Sequence, residues 1–387
     1  MSQLFENTLS KIKENKSNRD QGKYNCIPFD WMPKLKTVIP GIMKGTNWLV
    51  SAASGIGKTQ FTKDMFVYKP IKWVKENPQA GIKYKVLYFA LEESKEEFML
   101  TMISNRLYHK YGLRIDVLTL QSYFDTAIPE HVIEKVEECR EYFHDLEQYI
   151  DIYDSISNPT GIYKAVRRFS VENGTHYWYN FKTDKEKKNT IPYDDYIKLN
   201  DSKDWAYSHY VPNDPNLYVC VVVDHFSLLQ PEAGADTLHA AMTRMSAEYG
   251  RKNITKHWNY IFVNVQQQSA IGEQAEFTKM GTKIEEKFKP SLANLADNKL
   301  TQRDVHIALL LFSPARHNIP NYAGYNINVL RDNFRTVEVA KNRVGSGYIE
   351  DALYFNGAFN EFRELPRASE MTEADYKYIE TQRNKTT

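Results

Sequence analysis

Apolar residues fall along the chain in short continuous runs separated by longer stretches of helical periodicity. Trp48-Leu49-Val50 is followed by a loop of small residues and then by helical spacing from Lys58 to about Val74. Val86-Leu87-Tyr88-Phe89-Ala90 precedes a helical stretch from Glu96 to Tyr111. Leu217 to Val223 is the most β-branched run, and Leu238 to His257 again reads as a helix. Tyr260 to Val265 and His306 to Phe312 complete the series. Continuous apolar strands alternating with helices predict a parallel sheet covered on both faces. After residue 330, Thr336–Asn342 and Ala352–Phe362 predict antiparallel strands that finish it. The expected class is α/β: a central, mostly parallel sheet flanked by helices, with antiparallel strands at the C-terminal end.

The core spans residues 38–365. Residues 1–37 form an arm whose first 22 residues read as an amphipathic helix, with Leu4, Phe5, Leu9 and Ile12 near one face. That stripe is too small to make a core, so it needs a surface to dock on, its own domain's or a neighbour's. Asn18 to Gly22 reads as a linker. Residues 155–215 read as an insertion rich in Tyr and Trp, with a charged run from Lys182 to Lys188 and a hairpin around His176–Tyr193. Residues 366–387 are a polar tail expected to fray. No internal repeat is present.

Composition narrows the class without pointing to a partner. The 387 residues are 42% hydrophobic and 26% charged, enough apolar material for a sizeable core. A net charge of +1 means that any site for a polyanion is a local patch or a channel shared between subunits. Three cysteines (Cys26, Cys139, Cys220) lack metal-ligand spacing, and their odd number argues against a disulfide framework. A reducing compartment fits. The N-terminus lacks the apolar centre of a signal peptide, and no apolar run approaches about 18 residues. A soluble, cytoplasmic protein is expected, with no membrane partner.

The chemistry begins at Ala52-Ala53-Ser54-Gly55-Ile56-Gly57-Lys58-Thr59, a Walker A pattern with Ala in place of the first Gly. Small residues let backbone N–H groups wrap closely around phosphate oxygens, and the following helix adds its positive dipole end. Gln60 continues that helix. Lys58 would reach the β- and γ-phosphates, and the Thr59 hydroxyl would bind Mg²⁺. Val221-Val222-Val223-Asp224 puts a carboxylate at the C-terminal edge of a strand, where open α/β sheets place their ligands; Asp224 would hold the metal's water shell. Leu91-Glu92-Glu93-Ser94 ends another strand, and one of its two adjacent glutamates is expected to face the phosphate and deprotonate water. Val265-Gln266-Gln267-Gln268 ends a further strand with uncharged polar groups suited to sensing a γ-phosphate. In Val337 to Arg343, period two puts Lys341 and Arg343 on one side of a strand. Two cations so close repel unless an anion lies between them, and the γ-phosphate of an adjacent subunit would serve, with Arg343 as an arginine finger.

The motif order resembles the ATPase domain of DnaB-like replicative helicases (superfamily four), including the helicase part of phage helicase–primases. The pieces are SAASGIGKTQ, VLYFALEESKEE, VVVDHFSLLQ, the strand ending in NVQQQ, LTQRDVHIALLLF and VAKNRVGSGYIEDALYFNGAFNEFREL. They cover roughly residues 38–365 apart from the insertion. The resemblance implies a RecA-like P-loop NTPase that binds ATP, or another NTP, with Mg²⁺ at the subunit interfaces of a hexameric ring. It implies Glu92 as catalytic base, Asp224 as the Mg²⁺-associated carboxylate and Gln266 as γ-phosphate sensor. Lys341 and Arg343 would reach in from the neighbour, and Tyr354 would lie against the nucleotide base.

It also implies single-stranded DNA in a central pore, held by loops at about Pro231–Thr237 and Ser269–Lys299. Lys279, Lys283, Lys287 and Lys289 lie in the second loop, interleaved with Glu273, Glu276, Glu285 and Glu286. Repeated around a ring, they would bind phosphates without regard to sequence. The arm of about 40 residues leaves no room for a primase domain and would act as the linker helix exchanged between subunits. The expected function is an ATP-dependent ring-forming helicase or translocase acting in DNA replication, suited to a phage replication module, with a primase or loader as a candidate partner. The same fold also serves RecA/RadA-like recombinases that form filaments on single-stranded DNA.

Overall fold

The computed structural model describes residues 2–193, 203–269 and 288–384. In chain order its main strands are β1 (Asn47–Ala52), β2 (Lys83–Ala90), β3 (Ile150–Tyr153), β4 (Gly174–Asn180), β5 (Thr190–Pro192), β6 (Trp205–Pro212), β7 (Leu217–Asp224), β8 (Ile261–Gln267), β9 (Ile307–Phe312), β10 (Phe334–Asn342), β11 (Glu350–Asn356) and β12 (Glu361–Glu364). Among the described residues, nine of them form one sheet in the order β12-β11-β10-β9-β1-β8-β7-β2-β3. The six strands from β9 to β3 run parallel, and β10, β11 and β12 join antiparallel. This is a RecA-like core.

The periodicity of Lys58 to Val74 becomes one long helix, α2 (58–76). It is α-helical over Lys58–Lys63, π-helical over Asp64–Tyr68 and α-helical again over Lys69–Glu76. Helix α3 (Lys95–Tyr111) starts at a capping box in which Ser94 and Glu97 satisfy each other's backbone N–H groups, and stops at Gly112 (φ 69°). Helix α4 (Pro159–Glu172) and helix α5 (238–257; α-helical over Leu238–Thr243, π-helical over Arg244–His257) cover the other face. Alternation along the strands decides which side chain meets which helix. Trp48, Val50, Val263 and Leu309 pack with Phe61, Phe66 and Ile71 of α2. Leu87, Val221 and Phe262 pack with Ile162 and Met245 on the α4/α5 face.

Several elements differ from expectation. Strand β3 and the short helices between residues 117 and 146 were not expected, each being only four to eight residues long. Ala352–Phe362 is two strands, because the chain turns at Gly357 before β12. Within 155–215, α4 belongs to the covering layer of the main sheet, while β4, β5 and β6 form a separate antiparallel sheet in the order β5-β4-β6. The tail carries helix α6 (Glu373–Asn384), anchored by Ile379, which is buried beside Tyr325 and Leu330. Helix α1 (Ser2–Asp20) leaves Leu4, Phe5 and Ile12 exposed. Both chain ends of the core are fastened together: the Glu364 carboxylate accepts the backbone N–H groups of Lys34 and Leu35 at 3.0 Å each, and the Lys34 ammonium lies 3.0 Å from Asp351. Among the described residues, no helix is long and apolar enough to cross a membrane.

The π-helical turn of α2 carries Asp64 into the interior. Burial pushes its carboxyl up to about 7; the Lys69 ammonium, 3.9 Å away, only partly offsets this, and Glu361 adds to it. The folded protein thus keeps a proton that the unfolded chain releases above about pH 4. The resulting stability is full in acid and is lost as pH rises from about 4 to about 7. Asp64→Asn, which fixes the neutral form, is expected to flatten the fall in urea stability between about pH 5 and about pH 7.5, by on the order of a few kcal/mol. Identical pH profiles for the two proteins would show that Asp64 titrates as an ordinary exposed carboxyl.

Candidate nucleotide site

Strand β1 runs in the middle of the sheet and delivers the chain at Ala52 into a tight loop. Gly55 (φ 68°) and Gly57 (φ 105°) occupy the left-handed region that glycine tolerates without strain. The Phe355 ring leaves no room beneath Gly57, since a Cβ there would lie 3.1 Å from it. Ile56 is buried, and its carbonyl accepts a 2.8 Å hydrogen bond from Arg335 Nε. The Arg335 guanidinium, 4.7 Å from the Phe355 ring centre, also donates to Ser313 Oγ and to the carbonyls of Asp332 and Phe334. Burial lowers its pKa to about 10, and these acceptors share the charge. From the solvent side, Arg316 donates to the carbonyl of Ser54. The loop is held from below and above, and α2 begins at Lys58, which is buried yet forms no ion pair among the described residues.

The neighbouring strands bring the acidic groups to the same edge. Asp224, at the end of β7, is 2% exposed. Thr59 Oγ1 donates to its Oδ1 at 3.2 Å, and Tyr88 of β2 donates to its Oδ2 at 2.6 Å. Burial pushes the Asp224 carboxyl up, while Tyr88, His225, Lys63 and Thr59 pull it back. The two glutamates after β2 part company. Glu93 turns inward to the Lys63 ammonium at 2.7 Å, and burial raises its pKa. Glu92 stays exposed, with its carboxylate 3.5 Å from His225 Nε2. Burial, and then the Lys58 charge, lower the His225 pKa. A cavity of about 410 Å³ opens between loop and carboxylates, lined by Gly55, Lys58, Thr59, Glu92 and Asp224 among others. The donor set suits a metal–triphosphate pair. Glycine N–H groups and a buried ammonium meet an anion, and a hydroxyl beside a desolvated carboxylate suits a hard divalent cation.

No family model matches the sequence, and no curated protein sequence matches it. Solved structures do. The ATPase domain of G40P is similar with a TM-score of 0.63 at 17% identity, over 93% of this chain and 98% of that one. A DnaB-like replicative helicase, described with its interactions with primase, is similar with a TM-score of 0.60 at 17% identity, over 93% of this chain and 66% of that one. The fold is that of a DnaB-like helicase ATPase domain.

Within this core, Ala53, Ser54, Gly55, Ile56, Gly57, Lys58, Thr59 and Gln60 form the loop and the start of α2, with Asp224 and Glu92 beside it. Other expected site residues lie elsewhere. Gln266 points to the face opposite α2. Its amide donates to the carbonyls of Ala296 (2.6 Å) and Asn298 (2.9 Å), and its oxygen accepts from Thr301 (2.6 Å). Fully buried and fully bonded, it has nothing left for a phosphate. Alternation puts its neighbour Gln267, paired in register with Ala52 and only half-buried, on the α2 face. Tyr354 is likewise turned away: it is buried beside Phe334 with Arg363 4.6 Å over its ring, and Phe355 is the residue beneath the loop.

Lys341 and Arg343 lie at the far end of the strands. Lys341 pairs with Ala308 of β9, and Ala308 with Leu49 of β1, three residues before Ala52. The separation is about 10 Å along the strand before the loop is counted. The Lys341 ammonium donates to the Gln302 carbonyl, and burial, then the Arg343 charge, lower its pKa. Arg343 is exposed and forms no ion pair among the described residues. Of the four lysines expected to meet DNA, Lys279, Lys283 and Lys287 lie outside the described residues. Lys289 is engaged locally, 3.1 Å from Glu350 and 5.0 Å from the Tyr322 ring centre.

Tyr88, His225, Arg316 and Arg335 are the residues beside the site to which the motifs gave no role. A signal existed for one of them: Arg335 shares its strand face with Val337 and Val339, an arginine in an apolar row.

The two glutamines separate by experiment. Gln266→Ala strands the Ala296 and Asn298 carbonyls and is expected to cost about 1–3 kcal/mol of folding stability in urea denaturation. Gln267→Ala is expected to leave stability within about 0.5 kcal/mol and to lower nucleotide turnover. The opposite pattern would restore Gln266 to the site.

Proposed function

We propose that this chain is an ATP-hydrolysing motor that assembles into a hexameric ring and moves along single-stranded DNA during replication. The observation that carries this reading is the placement of Lys341 and Arg343. They stand at the opposite end of the sheet from the loop, too far to touch a phosphate bound by their own subunit, with Arg343 exposed and unpaired among the described residues. Each copy then holds half of a site at either end, and two copies complete one.

In this reading the Gly55 to Thr59 backbone and Lys58 bind the β- and γ-phosphates. Thr59 and Asp224 hold Mg²⁺, which when bound offsets the charge of the phosphate oxygens. Glu92, exposed to the cavity, takes the proton of the attacking water, and His225 steadies its carboxylate. Gln267, on the α2 face, replaces Gln266 as the group placed to sense the γ-phosphate. Arg343 and Lys341 of the adjacent copy stabilise the charge that develops as the bond to the leaving phosphate breaks, a contribution of about 10³–10⁵ in rate for arginine fingers. The DNA track would run along the loops at 231–237 and 269–299, in the cytoplasm. A primase is a candidate partner, because the second similar structure is one described with primase.

Mixing two inactive proteins tests the shared seam. Arg343→Ala is expected to bind ATP but to turn over about 10³-fold or more slowly, and Lys58→Ala is expected to lose nucleotide binding. Combined, they form seams with an intact cradle from one and an intact finger from the other, and turnover should reappear. Absence of complementation, or full turnover by Arg343→Ala, would refute the seam. Electron micrographs with an ATP analogue and single-stranded DNA should show closed six-fold rings; helical filaments would favour the recombinase alternative. Glu92→Gln is expected to keep ATP affinity within a few-fold and to lower turnover by about 10²–10⁴-fold. Unchanged hydrolysis would move the base elsewhere.

A further inference from the structure

The small sheet β5-β4-β6 has two unlike faces. Its inner face packs on the domain: the Tyr207 ring stacks on His257 at 4.6 Å, and His176 meets Trp258 edge-on at 5.7 Å. Among the described residues, the outer face leaves its aromatic side chains half-exposed or exposed. Tyr177 of β4 and His209 of β6 are register partners, and their rings stack flat, 4.7 Å apart with 5° between planes. Tyr179 is two residues along the same strand, hence on the same side and about 6.6 Å further on. The Lys187 ammonium lies 5.4 Å from its ring centre. His209 is exposed, and Tyr177 and Tyr179 are half-exposed.

Charge separates this face from an ordinary apolar docking patch. Lys182 and Lys188 in the adjoining turn are paired with Asp204 and Glu186. Lys185 and Lys187 are exposed and, among the described residues, have no carboxylate partner. Flat rings spaced along a strand offer successive surfaces to bases, and free ammonium groups at one rim offer charge to phosphates. Among the described residues, Val211 is the one large aliphatic side chain exposed beside these rings, on the same strand as His209. The combination of stacking rings and unpaired lysines is what binds a single strand without regard to its sequence.

We propose that the outer face of this sheet binds single-stranded DNA, with bases stacking on Tyr177, His209 and Tyr179 and phosphates held by Lys185 and Lys187. The choice of DNA over RNA rests on the motor reading; the stacking surface itself does not. The platform lies on a sheet of its own, apart from the residues that line the nucleotide cavity, and would give each subunit a further hold on the strand.

The test is fluorescence anisotropy of a labelled oligo-dT of about 20 nucleotides with the full chain, without nucleotide and at several salt concentrations. Tyr177→Ala with Tyr179→Ala is expected to weaken binding by about ten- to a hundred-fold, while Tyr177→Phe with Tyr179→Phe keeps the wild-type affinity. Lys185→Ala with Lys187→Ala should reduce the slope of log affinity against log salt by about 1.4. Bromodeoxyuridine in the strand should crosslink to Tyr177 or Tyr179. ATP turnover without DNA should be unchanged in all these variants. Loss of turnover in the wild-type protein would overturn the motor but not the platform. Affinity within two-fold of wild type for the alanine pair together with crosslinks confined to other segments, or tighter binding of an oligo-U through the same residues, would overturn the proposal.

Discussion

The Asp224 carboxylate is the point at which the site's parts are tied together. It sits almost out of water at the end of β7, where an unpartnered charge would be prohibitive. Its two oxygens are taken separately: Thr59 reaches one from α2, and Tyr88 reaches the other from β2. Three elements distant in sequence therefore converge on one group, and the loop of small residues is closed by the same convergence. What remains of the desolvation cost keeps its pKa raised. An arriving cation would relieve that cost, so a ligand adds to an arrangement that is already built.

The sheet sets the distance between the phosphate-type loop and the end that bears Lys341 and Arg343. Strands β9 and β10 link the loop end, through Phe355 and Arg335, to the end bearing Lys341 and Arg343. Such a continuous run of buried, hydrogen-bonded strands is stiff, and a displacement at one end is delivered to the other with little loss. This is a mechanical property of a single copy.

Much of this was legible in the chain itself. The parallel strands, the helices between them and the antiparallel close were readable because buried strands are continuously apolar and helices are periodic. The loop and Asp224 were readable because each follows such a strand. The placements of Gln266 and Tyr354 away from the α2 face have one physical origin. Period two is visible in a sequence, but which of two adjacent residues faces α2 depends on register with β1, and a one-residue slip exchanges every side chain between faces. Gln267 and Phe355 are the neighbours on the α2 face, Phe355 beneath the loop. Strand β3 and the helices near residues 117–146 escaped because each is only four to eight residues long, and the partner of β3 comes from a distant segment. The Arg335 brace was visible only as an anomaly, a cation in a row of valines, and its acceptors are backbone carbonyls that no residue type reveals.

The clasp between Glu364 and the backbone of Lys34 and Leu35 joins positions 330 residues apart. During synthesis its acceptor emerges only after nearly the whole domain has left the ribosome, so the early segment waits for the last strand of the sheet. Closing so long a loop is slow compared with local helix formation, and domains commonly acquire structure as they are made. The segment around Lys34 therefore stays without this partner until the last strand of the sheet has been made, however early its own helix forms.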